Sequence, residues 1–235
     1  MSANSHVSPP QTIFDALANG RRRALLSLLR EVDEPIHVSR LATAIACREA
    51  PTAPDDALDA RIEEVLTSLR HVHVPRLREA GLLAYDRRRD TVRRRSTRSR
   101  TEDRLVAHAT AGDGRHDALL DAIAHPRRRA VLSALADRTD PLPRADLAAL
   151  VAARTSGRDP DAVAPADREA VLVSLHHVHL PKLSEVGLVA VDGDRVRLSG
   201  EAPVDAACFR AVCEVIGVDP AAFGLGRDVV SAPGN

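Results

Sequence analysis

Residues 65–86, VLTSLRHVHVPRLREAGLLAYD, recur as residues 171–192, VLVSLHHVHLPKLSEVGLVAVD. A second pair of segments repeats at the same spacing: IFDALANGRRRALLSLL at 13–29 and LLDAIAHPRRRAVLSAL at 119–135. In both pairs the later copy lies 106 positions after the earlier one. A period this long is too great for a solenoid repeat and suits a small globular domain. The sequence therefore predicts one domain that occurs twice in tandem.

The helices of each copy are predicted from apolar residues at helical spacing. Two short helices come first, and a third is marked by Leu41-Ala42 and by its counterpart Leu147-Ala148. The longest helix is predicted over 58–80, where one apolar stripe is expected to be buried: Ile62, Val65, Leu66, Leu69, Val72 and Leu77. Gly81 and Gly187 are expected to end the long helices, because glycine readily takes the left-handed conformation found there.

A two-stranded hairpin is predicted after each long helix, because apolar and polar residues alternate there. In the first copy the turn carries DRRRD (86–90), and in the second it carries Asp192-Gly193-Asp194. Helices followed by a terminal hairpin are typical of a winged helix-turn-helix domain. The predicted fold is therefore mainly α with small β-hairpins, organised as two tandem winged helix-turn-helix domains.

The predicted boundaries follow from the repeat and from changes in composition. They are a disordered N-terminus at 1–11, domain 1 at 12–95, a basic and polar linker at 96–115, domain 2 at 116–198, and a C-terminal helix and tail at 199–235.

A family resemblance rests on segments inside both copies. At LANGRRRALLSLL (17–29) and LREAGLL (77–83) the first copy resembles the winged-helix repressors of the arsenic-sensor type. The runs LRHVHVPRL (69–77) and LHHVHLPKL (175–183) make the chain similar to an uncharacterised winged-helix family of haloarchaea. This resemblance implies the fold, but it implies no established function. The paired metal cysteines of the arsenic-sensor repressors are missing, so metal sensing does not carry over.

Positive charge is concentrated in one part of a chain whose formal net charge is zero. Residues 87–104 contain nine arginines and three acidic residues. Arginines on a hairpin can reach phosphates or enter a minor groove, so this segment predicts contact with double-stranded DNA. If six arginines met phosphates, affinity would fall about a thousandfold between 50 and 200 mM salt. The alternative interpretation is a solvated linker that balances acidic surfaces.

The expected DNA-binding residues belong to this basic segment and to the exposed side of the long helix. They are Arg87, Arg88, Arg89, Arg93, Arg94, Arg95, Arg98, Arg100, Arg70, Thr67 and Ser68. We expect such a protein to regulate transcription. The acidic start of the long helix, with Asp55, Asp56 and Asp59, would face phosphates badly. That start favours the alternative of a protein–protein interaction or dimerisation module that does not bind DNA.

The histidine run is interpreted as structural. Two histidines two positions apart on a helix point about 200° from each other, so they do not readily share one metal ion. The residues assigned to this structural motif are His71, His73, Pro75, Gly81, His177, His179, Pro181 and Gly187. The arginine triplets 21–23 and 127–129 are also assigned a structural role, with DNA contact as the alternative.

The remaining features predict a soluble, cytoplasmic protein that is not an enzyme and has no cofactor and no metal. No recognisable nucleophile or phosphate-binding glycine loop is present. The three cysteines are too few for a disulfide scaffold, and no stretch approaches the roughly 18 apolar residues of a membrane span. An amphipathic helix predicted near Cys208 and Val212 must cover something, and a homodimer contact is one candidate.

Overall fold

The computed structural model describes residues 11–97, 99–111, 116–200 and 206–225, in two units, Met1–Asp117 and Ala118–Asn235. The first copy contains α1 (Gln11–Leu17), α2 (Gly20–Arg30), β1 (Ile36–His37), α3 (Val38–Glu49), α4 (Asp55–Ser68), α5 (Val74–Glu79), β2 (Leu83–Asp86), β3 (Thr91–Arg94) and α6 (Arg100–Thr110). The second copy contains α7 (Asp117–Ala124), α8 (Pro126–Ala136), β4 (Leu142–Pro143), α9 (Arg144–Ser156), α10 (Pro165–Ser174), α11 (Leu180–Glu185), β5 (Val189–Asp192), β6 (Arg195–Leu198) and α12 (Ala206–Ile216). The prediction of a mainly helical chain with small antiparallel strand pairs is confirmed, while the predicted disorder of 1–11 falls almost entirely outside the described residues.

Each copy contains a three-stranded antiparallel sheet. The strand order is β1-β3-β2 in the first copy and β4-β6-β5 in the second. Val92 lies between Ile36 and Tyr85 in the first sheet. The strands β1 and β4 were not predicted, because each is only two residues long and so has no alternation to detect.

The arginine triplets bind the end of the helix that precedes them. Arg22 donates from Nε to the carbonyl oxygen of Ala16 (2.7 Å) and from Nη2 to that of Asp15 (2.5 Å). Arg23 donates from Nη1 to Leu17 O (2.5 Å). These carbonyls lie in the last turn of α1, where a helix leaves its acceptors without intrahelical donors. The guanidinium groups supply the missing donors, which is the structural role that the sequence favoured.

The same contacts recur in the second copy. Arg128 donates from Nη2 to Asp121 O (2.6 Å) and from Nε to Ala122 O. Arg129 donates from Nη1 to Ile123 O (2.7 Å). All of these acceptors belong to the last turns of α7, so both copies end their first helix in the same way.

A π-turn joins α4 to α5 and makes one long helix of 55–79. It spans Leu69–His73, and the Val74 N–H donates to Leu69 O, five residues back. The turn Leu175–His179 joins α10 and α11 in the same way. Pro75 has no N–H, and its ring would clash with the carbonyl four residues earlier in a regular helix. The wider turn accommodates this proline within a continuous helix.

The π-turn changes which residues face the core. It inserts one extra residue, so the buried stripe continues from Leu69 to His73, Val74 and Leu77. The predicted burial of Val72 is therefore wrong: its side chain is 48% exposed. The sequence pattern placed Val72 inside because it assumed regular helical geometry throughout.

One histidine of each HxH motif is buried and the other is exposed. His73 and His179 are 7% and 4% exposed, while His71 and His177 lie on the surface. Among the described residues, no group hydrogen-bonds the buried Nδ1 atom of either His73 or His179. The structural role predicted for the histidines therefore fits the position of only the buried histidine in each motif. The Nδ1 atom of that buried histidine has no hydrogen-bond partner among the described residues.

Both long helices end at glycines in the left-handed conformation expected there, Gly81 with φ 76° and Gly187 with φ 72°. Leu82 N–H donates to Leu77 O (2.9 Å), and Leu188 N–H donates to Leu183 O (2.9 Å). These bonds satisfy carbonyls at the helix ends and turn the chain into β2 and β5.

A helix closes each copy after its hairpin. In the first copy α6 packs on α1 and α2, and Leu105, Val106 and Ala109 are buried. Residues 100–110 therefore belong to the first unit, which corrects the predicted linker over 96–115. Two signals were missed: the apolar spacing, and Ser99 at the helix start, whose Oγ accepts from Glu102 N–H (3.1 Å).

The counterpart of α6 is α12, again 106 positions later. The apolar face of α12 is buried in this chain, and the Phe209 ring packs edge-on against Phe223 with centroids 4.8 Å apart. Cys208 and Val212 are fully buried, so this face is already covered. The structure therefore does not support the predicted homodimer contact through this helix. None of the helices in the described ranges has the length and apolar character that crossing a bilayer requires.

The capping role of Arg22 leads to a stability prediction. Arg22→Met keeps an apolar stem but removes the donors to Asp15 O and Ala16 O, so we expect the free energy of unfolding of the first unit to fall by about 1–3 kcal/mol. Urea denaturation followed by circular dichroism measures this change. Arg48→Met, at an exposed site on α3, is the control and should have little effect. Equal destabilisation by both variants would contradict the capping role.

The buried histidines predict loss of stability in acid. Burial, reinforced by nearby arginines, lowers the pKa of His73 to about 4, and burial with the neighbouring His125 lowers that of His179 to about 4. The unfolded chain binds these protons near pH 6.5, whereas the folded chain does not. We therefore expect the free energy of unfolding to fall by up to about 2 kcal/mol per histidine between pH 7 and pH 5.

Replacement of these side chains should flatten that pH dependence. The variant His73→Leu with His179→Leu is compared with His71→Ala with His177→Ala, which changes the exposed members of the same motifs. Urea midpoints from pH 5 to pH 7 give the slopes. If the leucine variant retained the wild-type slope, the buried imidazoles would not be the groups that titrate.

Candidate nucleic-acid interface

The basic hairpin consists of β2, β3 and the connecting turn, residues 83–94. Asp86 Oδ1 accepts from the backbone N–H groups of Arg88 (2.9 Å) and Arg89 (3.2 Å). These bonds fold the turn locally, as expected of an aspartate that precedes a tight turn. The side chains of Arg87, Arg88 and Arg89 are exposed, and none of them forms an ion pair within the described parts of the chain. The tip of the hairpin therefore presents three cations that no acidic side chain of the described residues neutralises.

Asp90 ties the turn to the rest of the first unit. Its Oδ2 accepts from Arg70 Nη2 (2.6 Å) and Nε (3.1 Å), and its Oδ1 accepts from the Tyr85 hydroxyl (2.8 Å). Its backbone oxygen accepts from the N–H of Val38 at the start of α3 (2.9 Å). One residue thus joins the turn to the long helix, to β2 and to α3.

The conformation and the charge of Asp90 both reflect these contacts. Its φ is 50°, and no other non-glycine residue in the described ranges has a positive φ. Partial burial opposes ionisation of Asp90, but the hydrogen bonds from Arg70 and Tyr85 outweigh it and lower the pKa of the carboxyl group. Burial, together with the hydrogen bond to Asp90, raises the pKa of Tyr85. The carboxylate therefore stays ionised and the phenol stays neutral at ordinary pH.

The predicted DNA-contact residues differ in their exposure and in their partners within the described residues. Thr67, Arg93, Arg95 and Arg100 are exposed, whereas Arg94 lies 3.8 Å from Asp103 in an ion pair. Arg98 lies outside the described residues.

Two residues of the predicted interface are engaged inside the first unit. Arg70 binds Asp90, as described above. Ser68 Oγ accepts from Arg21 Nη1 (3.1 Å) and donates to Val65 O (2.9 Å). Arg21 itself pairs with Glu49 (2.7 Å) and with another glutamate on α4. Ser68 and Arg70 therefore hold the long helix in place rather than forming part of the open cationic surface.

The acidic part of the long helix lies away from the basic hairpin. Asp55, Asp56 and Asp59 occupy the exposed first turns of α4, whereas Arg70 contacts the hairpin from the other half of the same helix. Fifteen residues separate Asp55 from Arg70, which corresponds to about 22 Å along the helix axis. The acidic start therefore does not neutralise the hairpin arginines.

The second copy has a different surface at the corresponding place. Its turn contains Asp192, Gly193 and Asp194 and has no arginine at the tip. Arg144, at the start of α9, donates to Gly193 O (2.5 Å), forms an ion pair with Asp194 (3.4 Å) and contacts His176. An arginine-bearing hairpin tip is therefore found in the first copy and not in the second, although β6 of the second copy carries exposed Arg195 and Arg197.

Exposed valines distinguish the second copy further. Val173, Val178 and Val191 are 50%, 54% and 42% exposed. Thr67 and Tyr85 are the first-copy counterparts of Val173 and Val191, whereas the counterpart of Val178 is Val72, which is itself 48% exposed. Val173 and Val191 are therefore the exposed apolar side chains that stand in place of Thr67 and Tyr85 of the first copy.

No alternative chemistry competes with this surface in the described ranges. There, no group of three or more histidine, cysteine or acidic side chains could hold a metal ion. Cys47 is an exposed thiol, Cys208 and Cys213 are buried thiols, and none of the three forms a disulfide; burial raises the pKa of Cys213 to about 12. A buried thiol with such a pKa is not a reactive nucleophile at neutral pH.

The sequence comparison matches both copies to one family. A family model described as "Domain of unknown function (DUF7344)" matches residues 14–93 and 120–199. The chain belongs to this family. The two DUF7344 copies together cover most of the chain, in agreement with the predicted uncharacterised family in tandem. No curated protein and no solved structure shows significant similarity to the chain.

Sequence reasoning missed Asp90 and Arg144, the residues that hold the two hairpin turns. Asp90 was counted only as one of the acids within the basic segment. An aspartate at the end of a turn, opposite a tyrosine on the neighbouring strand, was the available signal. The partner Arg70 lies 20 positions earlier on a different element, so its contact had no sequence signature.

The Asp90–Tyr85 bond gives a spectroscopic prediction. Tyr85 is the single tyrosine in a chain without tryptophan, so tyrosinate absorbance reports this one site. We expect Tyr85 to ionise above its ordinary pKa of 10.0 and expect Asp90→Asn to lower that pKa, because the charged acceptor is lost. A spectrophotometric pH titration, with circular dichroism to check folding, measures the shift. Asp194→Asn is the control and should leave the midpoint unchanged; an unchanged midpoint in Asp90→Asn would contradict the bond.

Proposed function

We propose that this chain is a DNA-binding protein, built from two winged helix-turn-helix domains, that regulates transcription. Support for the domain type comes from the element order helix, strand, helix, helix, strand, strand within each copy and from the sheet order β1-β3-β2. In this interpretation the long helix corresponds to the recognition helix and the basic hairpin to the wing.

The observation that carries the DNA proposal is the set of arginines on the basic hairpin that form no ion pair with any residue the structure describes. Arg87, Arg88 and Arg89 project from a turn whose backbone is held by Asp86 and Asp90. Closely spaced guanidinium groups suit the regular phosphates of a duplex, since each contact displaces a condensed counterion. Arg93 on β3 and Arg95, directly after β3, are also exposed and extend this surface.

Contact through the hairpin fits the charge distribution better than insertion of the long helix. The helix start carries exposed carboxylates, which would approach phosphates unfavourably. Arg70 and Ser68 are already bonded within the unit. We therefore propose that the first hairpin contacts the phosphate backbone of the DNA and that the second copy does not take part in DNA binding.

A second candidate function is supported by the exposed valines of the second copy. Val173 and Val191 are exposed apolar side chains where the first copy has Thr67 and Tyr85, and apolar exposure is typical of a protein-interaction surface. In this alternative the chain is a protein–protein interaction or dimerisation module that does not bind DNA. A stoichiometric protein partner that survives nuclease treatment, together with absent DNA binding, would favour the alternative.

The DNA proposal is tested by titration of a fluorescent duplex of random sequence at 50, 100 and 200 mM salt. With the five exposed arginines of 87–95 in contact, affinity should fall by about 500-fold across this range. Replacement of Arg87, Arg88 and Arg89 by serine should weaken binding at least tenfold and reduce the slope of log K against log salt by about 3.

The matched control removes the same charge from sites outside the hairpin: Arg48, Arg76 and Arg78, each exposed and each replaced by serine. We expect this control to bind much more tightly than the hairpin variant. Absent binding at 50 mM salt, or equal loss in the two triple variants, would overturn the proposal.

A further inference from the structure

We propose that Asp90 is the positioning residue of the DNA interface, fixing the basic hairpin so that Arg87, Arg88 and Arg89 are presented together. The inference rests on the proposed function. Its basis is the number of elements joined at this one residue. The side chain binds Arg70 of the long helix and Tyr85 of β2, and the backbone oxygen binds Val38 of α3.

The second copy supports a positioning role, because its hairpin turn is also held by an aspartate, although with a different arginine. Asp194 O accepts from the Arg144 N–H (2.9 Å), as Asp90 O accepts from the Val38 N–H. Asp194 also pairs with a guanidinium, but that guanidinium comes from Arg144 on α9 instead of from the long helix. Both turns are therefore held by an aspartate that links backbone and arginine, although the arginine differs.

The negative charge of Asp90, considered alone, would weaken DNA binding. A carboxylate close to three arginines reduces the positive potential that attracts a phosphate backbone. Its benefit must therefore come from geometry: a hairpin held in one orientation loses less conformational entropy when it binds. Loss of the negative charge should raise DNA affinity, whereas loss of the fixed hairpin orientation should lower it. One substitution at Asp90 therefore separates the two explanations.

Asp90→Asn is the decisive variant. Asparagine tolerates the positive φ of this position and has nearly the same shape, but its amide cannot accept two bonds from Arg70 with the strength of a carboxylate. Removal of the negative charge by itself should strengthen DNA binding. If Asp90 positions the hairpin, binding of the labelled duplex at 100 mM salt should instead weaken threefold or more.

A second measurement tests the position of the hairpin without DNA. Trypsin cleaves after arginine, and cleavage within 87–89 requires the hairpin to open locally. We expect Asp90→Asn to accelerate cleavage at these three sites severalfold, with fragments assigned by mass spectrometry. Cleavage elsewhere in the chain should keep its wild-type rate, which separates loosening of the hairpin from general unfolding.

Two further variants serve as controls. Asp194→Asn makes the same charge change in the second hairpin and should leave both DNA affinity and cleavage at 87–89 unchanged. Tyr85→Phe removes one bond to Asp90 without altering charge, so it should shift both measurements in the same direction as Asp90→Asn but by less.

The outcomes are distinguishable from failure of the proposed function. Faster cleavage together with weaker binding supports the inference. Unchanged cleavage, or binding that is equal or stronger in Asp90→Asn, overturns it. If the wild-type chain binds no duplex, the proposed function fails and the DNA role of Asp90 fails with it, while the cleavage rates still decide whether Asp90 holds the hairpin.

Discussion

The missing N–H of a proline inside each long helix determines how the rest of each unit is arranged. Pro75 and Pro181 follow a π-turn, and that turn rotates the second half of the helix relative to the first. A histidine is thereby placed in the core and the preceding valine on the surface. The same rotation directs the helix end, at a left-handed glycine, into the strand that begins the hairpin. A regular helix of the same length would deliver this strand in a different orientation.

The two copies share this frame but expose different chemistry on it. In the first, a guanidinium from the long helix holds a turn that carries three arginines. In the second, a guanidinium from α9 holds a shorter turn with aspartates and glycine, and an exposed valine, Val191, stands where the first copy has Tyr85. Since the backbone contact between turn and third helix is the same in both, the fold constrains where the hairpin lies but not which charges it carries.

Much of this architecture is predictable from the sequence. The repeat, the order of helices, the two hairpins and the glycines that end the long helices follow from periodicity and residue preference. The π-turn does not, because a regular helical period misplaces Val72 and conceals the inward position of His73. The strands β1 and β4 are too short for a pattern, and α6 was hidden by the charge of its surroundings. For the site, the exposed arginines of the turn were predictable, whereas the long-range bonds of Asp90, Ser68 and Arg144 were not.

The helix that follows each hairpin has an evolutionary consequence. Because α6 and α12 stand at equivalent positions, each copy has a final helix, and both helices lie beyond the segments that the family model matches. A duplication that stopped at the hairpin would have left the apolar sides of the first two helices uncovered. With a full set of core elements in each half, surface substitutions in one hairpin were free to accumulate without a matching change in the other. Such divergence of paralogous halves accounts for one cationic turn and one short acidic turn on the same scaffold.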